Sequence, residues 1–269
     1  MKARVIWAWL SCSLLLSGIP VQSENWLESV EVDQTVYFLF SSPARIERFD
    51  MSSNSFLAPV ALPGAPSDLA ADSSGLYVNN GASVYRYDLN VDNPEFRFVA
   101  PSSVQEIALT QNHIIALHGN DDLLSAVKTT GQIVQSLDFW YPMQGLSADP
   151  QLPRIFACTK QSYPPDIVSI LIGEDGVFGV QNDSPYHGET RSASETFVKP
   201  GSGTVFDNGG TRFTGDLVLA GGLGGRVDHV AFLADGVIAS RASSVVWFDD
   251  ELLEVGEVVP SQPSRSVSV

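Results

Sequence analysis

Apolar residues along most of this chain come in short runs or strict alternation, separated by clusters of Gly, Asn, Asp and Ser. The stretch from Ala65 to Leu89, APSDLAADSSGLYVNNGASVYRYDL, shows the grammar in full. An apolar patch at Leu69 to Ala71 leads into a DSSG turn, then Tyr77 and Val78, an NNG turn, and alternating Val84, Tyr85, Tyr87 and Leu89. Period-two alternation bounded by turn residues predicts strands, and no 3.6-residue period stands between them to predict helices.

The same pattern recurs. The apolar residues Leu69, Ile107, Leu146 and Val230 occupy corresponding places at separations of 38, 39 and 84 residues, the last being two repeats. A period near 40 residues with several short strands per unit predicts an all-β propeller, of about six four-stranded blades. The predicted units lie near 24–61, 62–102, 103–142, 143–190, 191–225 and 226–269. Glu24 to Asp33 reads as a polar lead-in with Trp26 as its anchor, which leaves the first unit with three strands. At the other end VPSQPSRSVSV parallels LPGAPSDLAAD, with Pro260, Pro263 and Ser264 matching Pro63, Pro66 and Ser67. Two accounts of that parallel stand: the C-terminal strand completes the first unit and closes the ring, or the sequence is the front of a longer protein.

The N-terminus changes the picture of where the domain works. Lys2 and Arg4 precede an apolar run from Val5 to Leu16, followed by Gly18, Pro20 and the small residues around Ser23. The run is shorter than the ~20 residues a spanning helix needs, so residues 1–23 are predicted to be a cleaved signal peptide and 24–269 the propeller domain. The expected location is secreted, periplasmic or on the cell surface, with no membrane insertion after cleavage. Without Lys2 and Arg4, 13 basic residues face 31 acidic ones. Such a surface repels phosphate backbones and anionic headgroups, which excludes nucleic acid as a partner. Cys158 would be the sole cysteine of the mature part, so no internal disulfide forms there. Its setting in RIFACTK, an apolar strand pattern, predicts a buried, inert thiol.

Catalytic motifs do not emerge. His113 and His118 flank the strand Ile114 to Leu117, five residues apart on opposite faces of an extended chain, and are read as turn residues. His229 reads as a strand-edge side chain. DLNVDNPE offers Asp88, Asn90 and Asp92 at alternate positions, but Asn93 stands where a calcium loop needs glycine and Val99 where it needs Glu. No metal-ligating or catalytic residue is assigned and no cofactor is expected, beyond calcium held loosely by an acidic exported surface. AGGLGGR follows a strand without an amphipathic helix after it, so it reads as a connection between blades. Asn182, Asp183 and Ser184 form a glycosylation sequon.

Two polar insertions break the period, QSYPPD and QNDSPYHGETRSAS. They gather Tyr163, Asp166, Tyr186, His187, Glu189 and Arg191 in loops, where rigid scaffolds carry recognition groups. Aromatic rings beside polar groups suit contact with a glycan or a protein.

The blade grammar, including VDHVAFLADGVIASRASSVVWFDDELLEVGEV, the opening VYFLFSSPARIERFD and the segment DSPYHGETRSASETFVKPGSGTVFDNGG, resembles secreted bacterial β-propeller proteins of the broad YVTN and WD40-like repeat type. The resemblance covers nearly all of 24–269 and implies a fold; members of the group include scaffolds, surface modules and a few enzymes. The expected function is a non-catalytic binding or scaffold module engaging a protein or glycan through loops on one ring face. The competing expectation is a propeller lyase or hydrolase with its site in the central channel. The small, apolar inner segments LAA, ALT and LSA stand against it.

Overall fold

The structure, a computed structural model, describes residues 27–90, 94–119, 122–162 and 165–259. The predicted signal peptide, Trp26, Tyr163, Asp92, Asn93 and the segment from Pro260 to Val269 lie outside the described residues. Every described element is a strand, and the strands form six antiparallel sheets of four.

Blade 1 contains β1 (Glu28–Val32), β2 (Thr35–Ser41), β3 (Ala44–Asp50) and β4 (Ser55–Ala61); blade 2 contains β5 (Leu69–Asp72), β6 (Gly75–Asn80), β7 (Ser83–Tyr87) and β8 (Pro94–Val99). Blade 3 is built from β9 (Val104–Leu109), β10 (His113–His118), β11 (Asp122–Val127) and β12 (Ile133–Leu137). Blade 4 follows with β13 (Met143–Asp149), β14 (Arg154–Thr159), β15 (Ile167–Ile172) and β16 (Phe178–Asp183). Blade 5 has β17 (Thr196–Val198), β18 (Val205–Asp207), β19 (Thr211–Phe213) and β20 (Leu219–Gly222), and blade 6 has β21 (His229–Leu233), β22 (Gly236–Arg241), β23 (Ser244–Asp249) and β24 (Glu254–Val258). Within each blade the strands are in sequence order, and the first strands of successive blades, from β1 to β21, lie side by side. This is the predicted six-bladed propeller.

Packing explains the sequence pattern. Second strands are buried on both faces, so β10, HIIALH, is buried at every position, whereas fourth strands such as β4 face outward and are largely exposed. From blade 1 through to blade 6, each blade shares an apolar cluster with the next in sequence. Tyr37, Leu39 and Ile46 of blade 1 meet Leu69, Leu76 and Val78 of blade 2, and Ile115 and Leu117 of blade 3 meet Leu146, Ile155 and Ile170 of blade 4. Phe156 and Ile167 of blade 4 meet Val205 and Phe213 of blade 5. At about 1.5–3 kcal/mol for each large side chain fully buried, these seams outweigh ion pairs such as Arg154–Asp216, 3.0 Å apart but with Asp216 almost wholly in water.

Two expectations need correction. The polar lead-in is a strand: Glu28 to Val32 pairs along β2, from Glu28 opposite Leu39 to Val32 opposite Thr35. In ESVEV, Val30 and Val32 share one face of the strand and are buried on the inner edge together with Glu28, while Glu31 between them is partly exposed. The first blade therefore has its four strands without the C-terminal segment. His113 and His118 are likewise the first and last residues of β10, both buried, and not turn residues.

Acidic residues recur at the turns because a carboxylate can accept N–H groups two to four residues on. Asp72 accepts from Ser74 N–H and Asp249 from Glu251 and Leu253 N–H. The hydroxyls and N–H groups of Ser52 and Ser53 hold Asp50 down at about 2.

Candidate functional site

In an up-and-down blade the first strand leaves one ring face and the second returns to it. Connections between second and third strands, and those from one blade to the next, therefore emerge on the same face. Both insertions of blade 4 are of this kind: 160–166 joins β14 to β15, and 184–195 joins β16 to β17. The segment 138–142, bringing the chain into blade 4 from β12, emerges beside them.

On this face blades 2, 3 and 5 share a brace. A polar residue at the end of the second strand bonds a serine in the incoming connection. Asn79 Oδ1 accepts the N–H of Ser67 (2.9 Å) and of Asp68 (2.8 Å), His118 Nδ1 lies 2.9 Å from Ser102 Oγ, and Asn208 Oδ1 accepts Ser194 N–H at 2.9 Å. Burial lowers the pKa of His118, with Asp122 opposing, which suits a neutral structural imidazole.

Blade 4 uses the corresponding position differently. Thr159 Oγ1 accepts Asp166 N–H at 2.8 Å, and Thr159 N–H donates to Asp166 O at 2.8 Å, so the end of β14 fixes Asp166. The Asp166 side chain turns inward, only 6% exposed. Its Oδ1 accepts Ile167 N–H at 2.8 Å. Its Oδ2 is buried with no hydrogen bond; His187 Nδ1 stands 2.7 Å away, in a contact that lacks hydrogen-bond geometry.

His187 belongs to a tight turn set by its own neighbours. Buried Ser184 donates its N–H to Ile167 O (3.1 Å), its Oγ accepts Tyr186 N–H (3.2 Å), and Glu189 N–H closes on Tyr186 O (3.0 Å). Asp183, the last residue of β16, completes the group: ligand atoms of Asp166, Asp183 and His187 all lie within 4.8 Å of one another. Burial raises the pKa of Asp183 and the Asp166 charge adds to the rise, while His187 opposes it.

Beside the group lies a shallow cleft lined by Phe139, Trp140, Tyr141, Val168, Gln181, Asn182 and Asp183. It encloses only about 10 Å³, roughly the space of one water molecule, so it is a platform and not a pocket. Phe139 is anchored in the seam between blades 3 and 4, and its ring stacks on Trp140 at 5.8 Å. Trp140 is 77% exposed and Tyr141 45%. Lys160 N–H donates to Pro142 O at 2.6 Å and ties the aromatic segment to the loop that leads to Asp166.

Comparison with known proteins supplies a fold and no family. No protein-family model matches the sequence, and no curated protein matches it. Among solved structures, a functionally unknown protein from Desulfotomaculum acetoxidans DSM 771 superposes with a TM-score of 0.65 at 15% identity, over 81% of this chain and 78% of that one. The computationally designed Ika8 protein gives 0.64 at 12% identity, over 88% and 75%. The likeness is one of fold.

The predicted loop residues thus separate. Asp166 and His187 come together. Tyr186 packs toward blade 5, its ring partly buried 6.4 Å from Phe213. Glu189 and Arg191 are exposed further along the loop, and Tyr163 lies outside the described residues. Sequence reasoning passed over Asp183 as part of a sequon, and over Trp140 and Tyr141. The signal for the last two was the aromatic triplet Phe139 to Tyr141 standing between strands, two rings more than the single core position filled by Phe139 calls for.

Proposed function

We propose that this chain is an exported, non-catalytic binding module whose blade 4 face engages a glycan. The observation that carries the reading is the platform itself: two exposed aromatic rings, Trp140 and Tyr141, beside the side-chain amides of Gln181 and Asn182 and the carboxylate of Asp183. Rings offer an apolar face to sugar C–H groups, and amides and carboxylates meet hydroxyls. A shallow cleft suits one stretch of an extended polymer better than an enclosed small molecule.

The inner strands support a binding role over channel chemistry. Carboxylates on them or beside their ends join one blade to the next: Asp68, just before β5, accepts Ile107 N–H, and Glu106 of β9 accepts the N–H groups of Gly145 and Leu146. Export rests on the basic and apolar N-terminus of the sequence, and the acidic surface suits a partner without phosphate.

A glycan array probed with the full chain and with the double variant Trp140→Ala, Tyr141→Ala tests the reading. Selective binding that falls at least tenfold in the variant supports it. Absence of glycan binding, or binding unchanged in the variant, overturns it.

A further inference from the structure

We propose that Asp166, Asp183 and His187 form a binding site for a divalent transition-metal cation, Zn²⁺ foremost, on the outer face of blade 4. The inference goes beyond glycan recognition and does not depend on it.

The buried oxygen of Asp166 leads to it. Taking a carboxylate out of water without giving each oxygen a partner is costly. Here the backbone satisfies Oδ1 while Oδ2 is left buried, without a hydrogen bond, and facing His187 Nδ1 and a second carboxylate. Two carboxylates this close repel, and a 2+ ion between them removes both penalties at once.

The spacing fits. Zinc takes imidazole nitrogen and carboxylate oxygen at about 2.0–2.2 Å, so tetrahedral ligand atoms stand roughly 3.3 Å apart. The three ligand atoms lie within 4.8 Å of one another, and the closest pair, at 2.7 Å, has to open slightly. Asp166 is the fixed member, held by Thr159 and Ile167. His187, with its side chain 56% exposed, and exposed Asp183 are free to adjust around it. The imidazole decides the class of ion, because Ca²⁺ and Mg²⁺ prefer all-oxygen shells whereas nitrogen with carboxylate suits Zn²⁺. Three protein ligands leave a position open to solvent, where water or a group from a partner can bind.

Calorimetric titration of the chelator-treated full chain with Zn²⁺ alone, and separately with Ca²⁺ alone, tests the site. One Zn²⁺ per chain is expected, with a raised thermal midpoint and at least a tenfold loss of affinity in both His187→Ala and Asp183→Asn. Both residues are exposed, so these variants fold even if Asp166→Asn does not. Failure to bind Zn²⁺ at micromolar concentration, or affinity unchanged in the two variants, overturns the site. Tighter binding of Ca²⁺ than of Zn²⁺ overturns the assignment of the ion. Since the titrant is the metal alone, failure here leaves the glycan reading standing.

Discussion

Blades 2 and 4 have the same four-stranded sheet and differ in how the carboxylates at their turns and loops are satisfied. In blade 2 the Asp72 carboxylate holds Ser74 N–H and pairs with Lys128 of blade 3. Asn79 accepts two N–H groups and donates to Val104 O at 2.6 Å. One ring face of blade 4 matches this, since buried Asp149 accepts the N–H groups of Gln151, Leu152, Gly201 and Gly203. Its other face does not, and there the second-strand brace is redirected to hold Asp166, whose Oδ2 has no hydrogen bond. Other buried polar atoms also lack a hydrogen bond, among them Arg97 Nε of blade 2 and His118 Nε2 of blade 3, but Asp166 Oδ2 is the carboxylate oxygen among them, and it faces a second carboxylate and an imidazole, where a cation can complete it.

The turns give the largest expected contrast. Asp72 pairs directly with Gly75, leaving a two-residue turn, and Gly75 has φ 147° with room for no Cβ: one would sit 2.4 Å from Tyr87 O. Gly236 of blade 6 repeats this against Phe248 O at 2.2 Å. In blade 4 the longer turn after Asp149 puts Arg154 at that place in the register. Gly75→Ala is expected to cost about 4 kcal/mol, near the upper end for one substitution. Arg154→Ala, losing an ion pair to a solvated partner, should cost less than about 1 kcal/mol. Urea unfolding of both variants measures the difference, and equal losses would break the comparison between the blades.

How far all this was legible follows from where each signal lies. Blades were legible because two-sided burial forces apolar runs such as HIIALH, and turns force DSSG and NNG, all within a few consecutive residues. The strand ESVEV was missed because its acids look like solvent-facing side chains until the inner edge is built around Glu28. Asp166 and His187 could be picked out as loop residues, but their meeting depends on Ser184 and Thr159, which attract no attention in sequence. The place of Tyr186 was hidden for the same reason. Its partner Phe213 belongs to the next blade, and only tertiary packing decides between ring as anchor and ring as bait.

Asp207 of blade 5 separates burial from lack of partners as the source of cost. Burial pushes its carboxyl from 3.8 up to about 6, even though N–H groups from Thr211, Gly209 and Gly210 pull the other way. Between those pH values the folded chain holds a proton that the unfolded chain has lost, so this residue favours folding below pH ~4 and loses that contribution as pH rises through about 6. The displacement corresponds to on the order of 2–3 kcal/mol. Asp207→Asn is expected to flatten this fall, seen in thermal midpoints between pH 4 and 7, and to be no less stable than the parent at pH 7. A fall of the same size in the variant would show that the slope arises elsewhere.

The smallest effects set the two blades' carboxylates directly against each other. Burial alone would raise Asp72, but Lys128 and Ser74 outweigh it and leave its pKa below the ordinary value. Asp72→Asn keeps the acceptor for Ser74 and removes the charge opposite Lys128, whose side chain is 8% exposed. A loss of about 2 kcal/mol follows, because an ammonium is left buried beside a neutral amide. Asp166→Asn starts from the opposite condition. Its Oδ1 can still accept Ile167 N–H, while the new NH₂ removes one of two facing charges and offers Asp183 a donor. In the presence of chelator this substitution should therefore change stability by less than about 0.5 kcal/mol, or raise it. Guanidinium unfolding of the two variants at neutral pH makes the comparison. A loss at Asp166 as large as that at Asp72 would mean that its carboxylate already has the partner on which the contrast denies it, whereas a near-zero change without metal and a clear loss with Zn²⁺ would place the missing partner in solution.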